Sequence, residues 1–399
     1  MASDLRARAG ESLSARLGFP ETTIEAGLTH PGVRQTMTTV GGTAGFLVDL
    51  DDDRITALEV EIGLGHRGFE FEAERGDWAD ALPYVARLGL AGGVIAEIAY
   101  CTALESLGGI AIPDRAIWLR MLVSELARIS DHFGRLGAVM TAIGLADGLH
   151  VANRAEDFAA RALASATGAA PLAGYACPGG VQRGMSAVFQ DEWSTIRKQL
   201  EQEVARFVST ATTNPTCVRR LRGVASLGAE DAMSWGVTGP TLRAAGAPID
   251  VRRDRPYLAY SALEFEVPIG EAGDDLDRLL VIVEEIRQSL SMIDQCHKLL
   301  TSLGAGDLRA SGTRPGELAI APGEAVATVE ASTGELAFMI AADSGAGSEE
   351  GDPRPRRIRC RAPSFFHAQA LPAMLVGSRL DDLLPTVALL HLVAPECDR

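Results

Sequence analysis

The chain contains no C-x-x-C pair, no apolar run long enough to span a bilayer and no basic surplus, and each lack removes a class of protein. Its cysteines stand at 101, 177, 217, 296, 360 and 397. That scatter suggests neither a zinc or iron–sulfur ligand set nor a disulfide framework. Isolated buried thiols in a reducing compartment are expected, and no metal bound by this chain itself. The best apolar stretch, Leu88 to Ile98, is interrupted by Glu97 and falls well short of the roughly 18 residues that a membrane helix needs. Met1-Ala2-Ser3-Asp4-Leu5-Arg6 is polar with no apolar segment behind it, so no secretory signal is expected. Lys and Arg number 37 against 53 Asp and Glu, for a net charge of −16. Nucleic acids reward clustered cations that neutralise phosphates, so nucleic-acid binding is not expected. The same acidity argues against lying directly on anionic lipid, though not against docking on a membrane protein.

Catalytic signatures are scarce too. There is no Walker A loop, no G-x-S-x-G elbow and no strand-borne G-x-G-x-x-G. Ser124, Asp131 and His132 lie on one predicted helix and read as core and surface positions rather than a triad. His66 and Glu70 without a third ligand are weak as a metal site.

What is present is globular: 399 residues, 47% hydrophobic, enough for a large core. Residues 1–30 read as an N-terminal arm and 31–75 as a small β region. Within it, runs at 46–50 and 55–62 flank the acidic turn Asp51-Asp52-Asp53 and predict a hairpin. Glu61-Ile62-Gly63-Leu64-Gly65-His66-Arg67-Gly68 follows, its three glycines predicting a turn that displays a basic pair. Residues 76–303 read as a helical core. Apolar residues at helical spacing from Ile117 to Leu136 mark one long helix, with Asp114 as N-cap and Gly144 as stop. Further helices are expected at 154–166, 189–211 and 274–303, and a loop at Tyr175 to Val181. Residues 221–246 read as irregular. Residues 304–399 read as a C-terminal α/β region, with strands at 335–340 and 357–361 around the acidic tip 344–355. The fold class is α+β, mainly α.

The ordered segments resemble the D-type subunits of NADH-quinone oxidoreductase, respiratory complex I, whose fold is shared with the large subunit of nickel-iron hydrogenases. The resemblance rests on Ile62-Gly63-Leu64-Gly65-His66-Arg67-Gly68-Phe69-Glu70, Leu82-Pro83-Tyr84 with Arg87, Ala99-Tyr100-Cys101 and Arg120 to Arg128. It continues through Pro178-Gly179-Gly180-Val181, Thr238-Gly239-Pro240-Thr241-Leu242-Arg243, Asp250-Val251-Arg252-Arg253, Phe265-Glu266-Val267-Pro268 and Cys397-Asp398-Arg399. It covers roughly residue 27 to the end. A hydrogenase-like helical core is implied. A nickel site is not, because that family's two cysteine pairs fall on Arg87 to Gly92 and Val393 to Glu396, which hold no thiolate.

The resemblance implies a peripheral subunit on the cytoplasmic side of the cell (inner) membrane. Its neighbours would be the B-, C- and I-type peripheral subunits and the H-type membrane subunit. NADH, FMN and the iron–sulfur clusters would belong to those partners, with quinone as the substrate in a shared cavity. Candidate cavity residues are Gly41, Gly42, His66, Arg67 and Leu90, and Arg87 is expected beside the partner's terminal cluster. Several family groups are replaced. Counting back without gaps from Ile62, Gly41 takes the place of the quinone-bonding histidine, and Leu90 that of the tyrosine. Ala142 stands for an aspartate and Leu172 for a histidine ahead of the Pro-Gly-Gly loop. A gapped reading sets Gly27 to Gly32 on the quinone loop and still lacks the second histidine. Two functions therefore stay open: a working D-type subunit coupling electron transfer to proton translocation, or a structural adaptor without direct quinone chemistry.

Overall fold

The structure, a computed structural model, describes residues 24–26, 42, 44–89, 93–168, 174–318, 320–343 and 354–398. Gly41, Leu90, Leu172, the gapped loop alternative and most of the expected arm lie outside these residues.

The hairpin forms as the sequence predicts. Strands β1 (Ile24–Ala26), β2 (Gly45–Asp51) and β3 (Arg54–Glu61) make an antiparallel sheet in that order. Asp52 turns the chain at φ 56°, a left-handed conformation that Asp tolerates better than most residues. The glycine-rich segment then breaks regular structure, with Gly63 at φ 86° and Gly68 at φ 66°. Helices α1 (Phe69–Ala73) and α2 (Leu82–Val85) follow. Next come α3 (Gly93–Gly108), α4 (Asp114–Ala142) and α5 (Ala146–Thr167).

Asp114 is not the N-cap of α4. Pro113 holds the extended cap position at ψ 144°, and Asp114 sits in the first turn, where its charge favours the helix dipole. Helix α5 starts well before the expected residue 154 and ends at Gly168 in the left-handed conformation. The expected loop from Tyr175 contains a two-strand ladder, β4 (Ala176–Cys177) with β5 (Gly180–Val181). Helices α6 (Ala187–Thr213) and α7 (Pro215–Leu221) come next. The stretch read as irregular holds α8 (Ala229–Ser234) and α9 (Gly239–Ala244), and α10 (Val251–Asp254) follows. Helix α11 (Asp275–Leu303) is capped by the Asp274 carboxylate, which accepts from the Asp277 N–H.

The C-terminal sheet has three antiparallel strands, β6 (Gly323–Glu330), β7 (Glu335–Ala342) and β8 (Arg357–Arg361), closed by helices α12 (Pro363–Leu375), α13 (Leu383–Leu389) and α14 (Ala394–Cys397). Strand β6 was not expected. Its Gly, Glu and Ala residues are poor strand formers, but pairing with β7 over its whole length overrides that preference.

Helices α4, α5, α6 and α11 pack side by side as a four-helix bundle, with α13 laid on α4 and α3 on the β6–β7 sheet. One large apolar core fills the bundle, and a second joins the N-terminal sheet to α8, α9 and α12. Burying this much apolar surface is the main favourable term in folding. The bundle interior is also densely charged. Glu125 on α4 accepts from Arg128 (3.0 Å), Arg252 (3.2 Å), the Tyr260 hydroxyl (2.7 Å) and the Ser289 hydroxyl (2.6 Å). Arg243 donates to Glu285 (2.6 Å) and Glu330 (2.7 Å), and Arg252 to Asp250 (2.7 Å). Buried charges persist only when paired and hydrogen-bonded in this way. All six cysteines are buried, and none is joined to another by a disulfide. Among the described residues, no helix is long and apolar enough to cross a membrane.

Candidate functional site

The glycine-rich segment ends where α1 begins, and α1 is pinned from below. Its Glu70 accepts from the Cys360 N–H (3.0 Å) and from Arg359 (3.1 Å). Its Glu74 accepts from the Ile358 N–H (3.0 Å) and from Arg357. Two glutamates one helical turn apart thus satisfy the edge of β8, which would otherwise present open donors. So Glu70 is a docking residue and shares no ligand site with His66. The next turn is held by Trp78, buried at 1% exposure, whose carbonyl accepts from the buried Tyr100 hydroxyl at 2.8 Å. Helix α2 and the turn after it then present Tyr84 and Arg87 outward, and the Arg87 guanidinium folds back onto the Pro83 carbonyl at 2.5 Å. Close packing of α3 beneath depends on Gly93, where a Cβ would overlap the Ala86 carbonyl oxygen.

The chain's far end closes this region. In α14, Pro395 faces outward, and Asp398 follows the helix. The His66 ring Nδ1 lies 3.1 Å from the Asp398 carbonyl oxygen. Burial pushes the Asp398 carboxyl's pKa up, against the backbone of Gly65 and Gly63, which favours its anion. A side chain at Gly65 would collide with that carboxylate, and one at Gly42 would press on Ala394 and Pro395. These glycines are therefore required by close approach.

Between the two walls lies an open cleft of about 860 Å³ lined by Gly65, Arg67, Glu72, Arg75, Asp80, Pro83, Tyr84, Arg87, Leu88, Pro395 and Asp398, with Phe69 at its base. Its size suits a small-molecule ligand. Of the candidates from sequence, Arg67 and Arg87 line it directly. His66 is tied to its C-terminal wall, Gly42 packs behind Pro395, and Gly41 and Leu90 lie outside the described residues. Tyr84 and Asp398 belong to segments already singled out in the sequence. Asp80, Glu72 and Arg75 carry no signal there. Arg75 is paired with Glu72 at 3.3 Å, and Asp80 and Asp398 also line the cleft, so Arg67 and Arg87 beside the exposed Tyr84 are the groups placed to donate hydrogen bonds to a ligand's carbonyl oxygens. Among the described residues, no group of three or more His, Cys, Asp or Glu is arranged to hold a metal.

A second structured loop lies nearby. Arg120 forms a bidentate pair with Glu105 (2.8 and 2.6 Å) and donates to the Cys177 and Gly180 carbonyls, while Glu105 also accepts from the Gly179 N–H. Gly180 sits at φ 156°, where a Cβ would strike Leu308. Glu97 is buried beside it, its pKa raised to about 7 by burial against the Ala176 N–H bond that favours the anion.

This pairing of a four-helix bundle with a small C-terminal sheet is shared with a chain of the archaeal membrane-bound sulfane sulfur reductase (MBS), described as a respiratory membrane complex. The TM-score is 0.85 at 28% identity, covering 94% of this chain and 98% of that one. The fold is thus that of a respiratory-complex subunit. A sequence model of the family "Respiratory-chain NADH dehydrogenase, 49 Kd subunit" matches residues 143–314 and 313–399. The chain is 31% identical to the NADH-quinone oxidoreductase D-type subunit 2 of Anaeromyxobacter sp. (strain K), over 99% of this chain and 93% of the relative. It is also 31% identical to the NADH-quinone oxidoreductase D-type subunit of Myxococcus xanthus, over 99% and 97%. The chain belongs to the 49 kDa, D-type family of respiratory-chain NADH dehydrogenase subunits.

Proposed function

We propose that this chain is the D-type subunit of a membrane-associated NADH-quinone oxidoreductase and that the cleft beside Arg67, Tyr84 and Arg87 is its share of the quinone cavity. The observation that carries the reading is convergence. Segments more than 300 residues apart, from Gly65 to Leu88 and from Pro395 to Asp398, meet around one ligand-sized cleft. In this reading the other wall is the partner subunit that carries the terminal iron–sulfur cluster, and Arg87 faces that cluster. NADH, FMN and the clusters sit on B-, C- and I-type partners, and the chain docks on an H-type membrane subunit from the cytoplasmic side. Electrons arriving from the cluster reduce the quinone, which takes up two protons, and that step is coupled to proton translocation.

The test is inhibitor-sensitive NADH:quinone turnover in the complex reconstituted with and without this chain. Loss of turnover without it is expected, and unchanged turnover would overturn the reading. One observation favours the second reading, a structural adaptor: Gly41 and Leu90 stand where the family has quinone-bonding His and Tyr. Gly41→His combined with Leu90→Tyr separates the two. A rise in quinone reduction supports a cleft that still takes quinone, and no change supports the adaptor.

A further inference from the structure

Among the described residues three carboxyls line the cleft, Glu72, Asp80 and Asp398, and their bonding tells them apart. Glu72 is paired with Arg75 at 3.3 Å. Asp80 accepts from the Asp77 N–H at 3.1 Å and closes the turn ahead of α2. Asp398 is different. Its Oδ1 is shut off from solvent and has no hydrogen-bond partner among the described residues. Its Oδ2 lies against the Gly65 backbone, so close that a Cβ there would overlap it.

The residue is nevertheless held on both sides. Its N–H donates to the Ala394 carbonyl at 3.0 Å. Its carbonyl oxygen lies 3.1 Å from His66 Nδ1, and since a carbonyl only accepts, that nitrogen carries the hydrogen. A backbone fixed in this way keeps the side chain at the cleft edge, as a positioned acid requires.

A carboxylate depends on water or on donors for its stability, and an oxygen that has neither penalises the charged form. Burial accordingly raises the Asp398 pKa, against the Gly65 and Gly63 backbone and His66, which favour the anion. The other charged groups that share the cleft with it are Arg67, Arg87, the Glu72–Arg75 pair and Asp80. Glu396, two residues earlier, turns its carboxyl inward onto Ser364.

We propose that the Asp398 carboxyl is the proton donor of this cleft, kept as the acid by its unpartnered oxygen and held in place by the Ala394 and His66 contacts. The proposal rests on the quinone reading of the cleft. Where the resemblance places a quinone-bonding histidine and tyrosine, this chain has Gly41 and Leu90, whose side chains have no proton to give.

In one turnover quinone takes two electrons from the partner's iron–sulfur cluster. Arg67 and Arg87 are placed to stabilise the negative charge that this creates. The Asp398 O–H bond breaks, and its proton forms a new O–H bond on one oxygen of the reduced quinone. The second proton comes from solvent through the open mouth of the cleft. A third, from the same source, restores the Asp398 carboxyl, so charge and atoms balance.

The experiment compares the assembled wild-type complex with Asp398→Asn, Asp398→Ala, Asp398→Glu and Arg67→Gln. It reads quinone turnover against pH, the response to added formate, and NADH oxidation by a one-electron dye that needs no proton. Wild-type turnover should fall as pH rises through the Asp398 pKa, because only the acid donates. Asp398→Asn keeps the shape and removes the acid, so quinone turnover should drop by about 10²-fold or more and lose that pH limb, with dye reduction unchanged. Asp398→Ala opens space for a small acid, and formate should restore part of its turnover, more so at lower pH. A purely structural role for Asp398 predicts no such rescue. A slow Asp398→Ala that formate leaves slow would overturn the proposal. Asp398→Asn at the wild-type rate, while Arg67→Gln raises KM, would overturn it too and leave the cleft reading standing. Should the Asn and Ala variants fail to assemble on a native gel, Asp398→Glu decides: a displaced pH limb supports the proposal, and a limb at the wild-type position overturns it. Asp398→Asn and Arg67→Gln both at wild-type rates and KM, or a wild-type complex that reduces dye but no quinone, would remove the cleft reading itself.

Discussion

Replacing Glu396 by Gln should turn a pH-dependent weakness of the fold into a pH-independent one. Glu396 has no cation bonded to it; its bonded partners are the Ser364 and Thr333 hydroxyls and the Ser364 N–H. Burial outweighs these donors and raises its pKa from 4.5 to about 7. The sign follows from which state binds the proton better. The folded protein does, so the stabilising contribution is complete below about pH 4.5 and is lost as pH climbs through about 7. With 1.36 kcal/mol per pKa unit, the loss between about pH 5 and pH 8 is roughly 2–3 kcal/mol. Gln keeps the size and can still accept from Ser364, but its NH2 meets the Thr333 hydroxyl, at a cost of about 1 kcal/mol. The variant should therefore be slightly less stable near pH 5 and more stable than wild type near pH 8. Urea unfolding of the full chain at both values measures this. Parallel stability–pH curves for the two proteins would refute the reasoning.

Further consequences concern the buried charge network and the packing around the cleft. Arg243→Met removes the cation bonded to Glu285 and Glu330, leaving Glu330 without a charged partner and Glu285 with His132 alone, and should cost about 3–5 kcal/mol in urea unfolding, whereas a loss under about 1 kcal/mol would show the pairs to be dispensable. Burial opposes ionisation of Glu125 and Glu285, but Arg128 and Arg252 for the first and Arg243 and His132 for the second hold both down to about 2. Their stabilisation should be complete above about pH 4.5 and vanish as pH falls toward 2, an acid transition that circular dichroism follows. Gly93→Ala drives a methyl into the Ala86 carbonyl and should destabilise by about 1–3 kcal/mol. A thermal unfolding midpoint equal to wild type would contradict that contact.

The long helices were legible because Ile117, Met121, Leu122, Leu126 and Phe133 repeat at helical spacing, and the hairpin because an acidic turn separates two apolar runs. Strand β6 was not. Gly323, Glu324, Ala325 and Ala327 carry little local preference, and only pairing with β7 makes them a strand. The charged positions of α4 give no local sign of their surroundings. Arg120, Glu125, Arg128, Asp131 and Arg135 are all buried, because other elements far along the chain bring them partners. The site was half legible. Arg67 and Arg87 sit in a segment whose glycines mark it, and both line the cleft. Asp80, Glu72 and Arg75 have no neighbours in sequence that set them apart from ordinary surface residues. Only the folded chain brings α14 to them.

The central claim is that quinone enters between the Arg67–Arg87 wall and the Pro395–Asp398 turn. A photoreactive quinone analogue, crosslinked in the assembled complex and mapped by mass spectrometry, tests it directly. Labelling of peptides from 65–88 and 394–398, suppressed by excess unlabelled quinone, is the predicted result. Label confined to other subunits, or label here that quinone fails to displace, would contradict it.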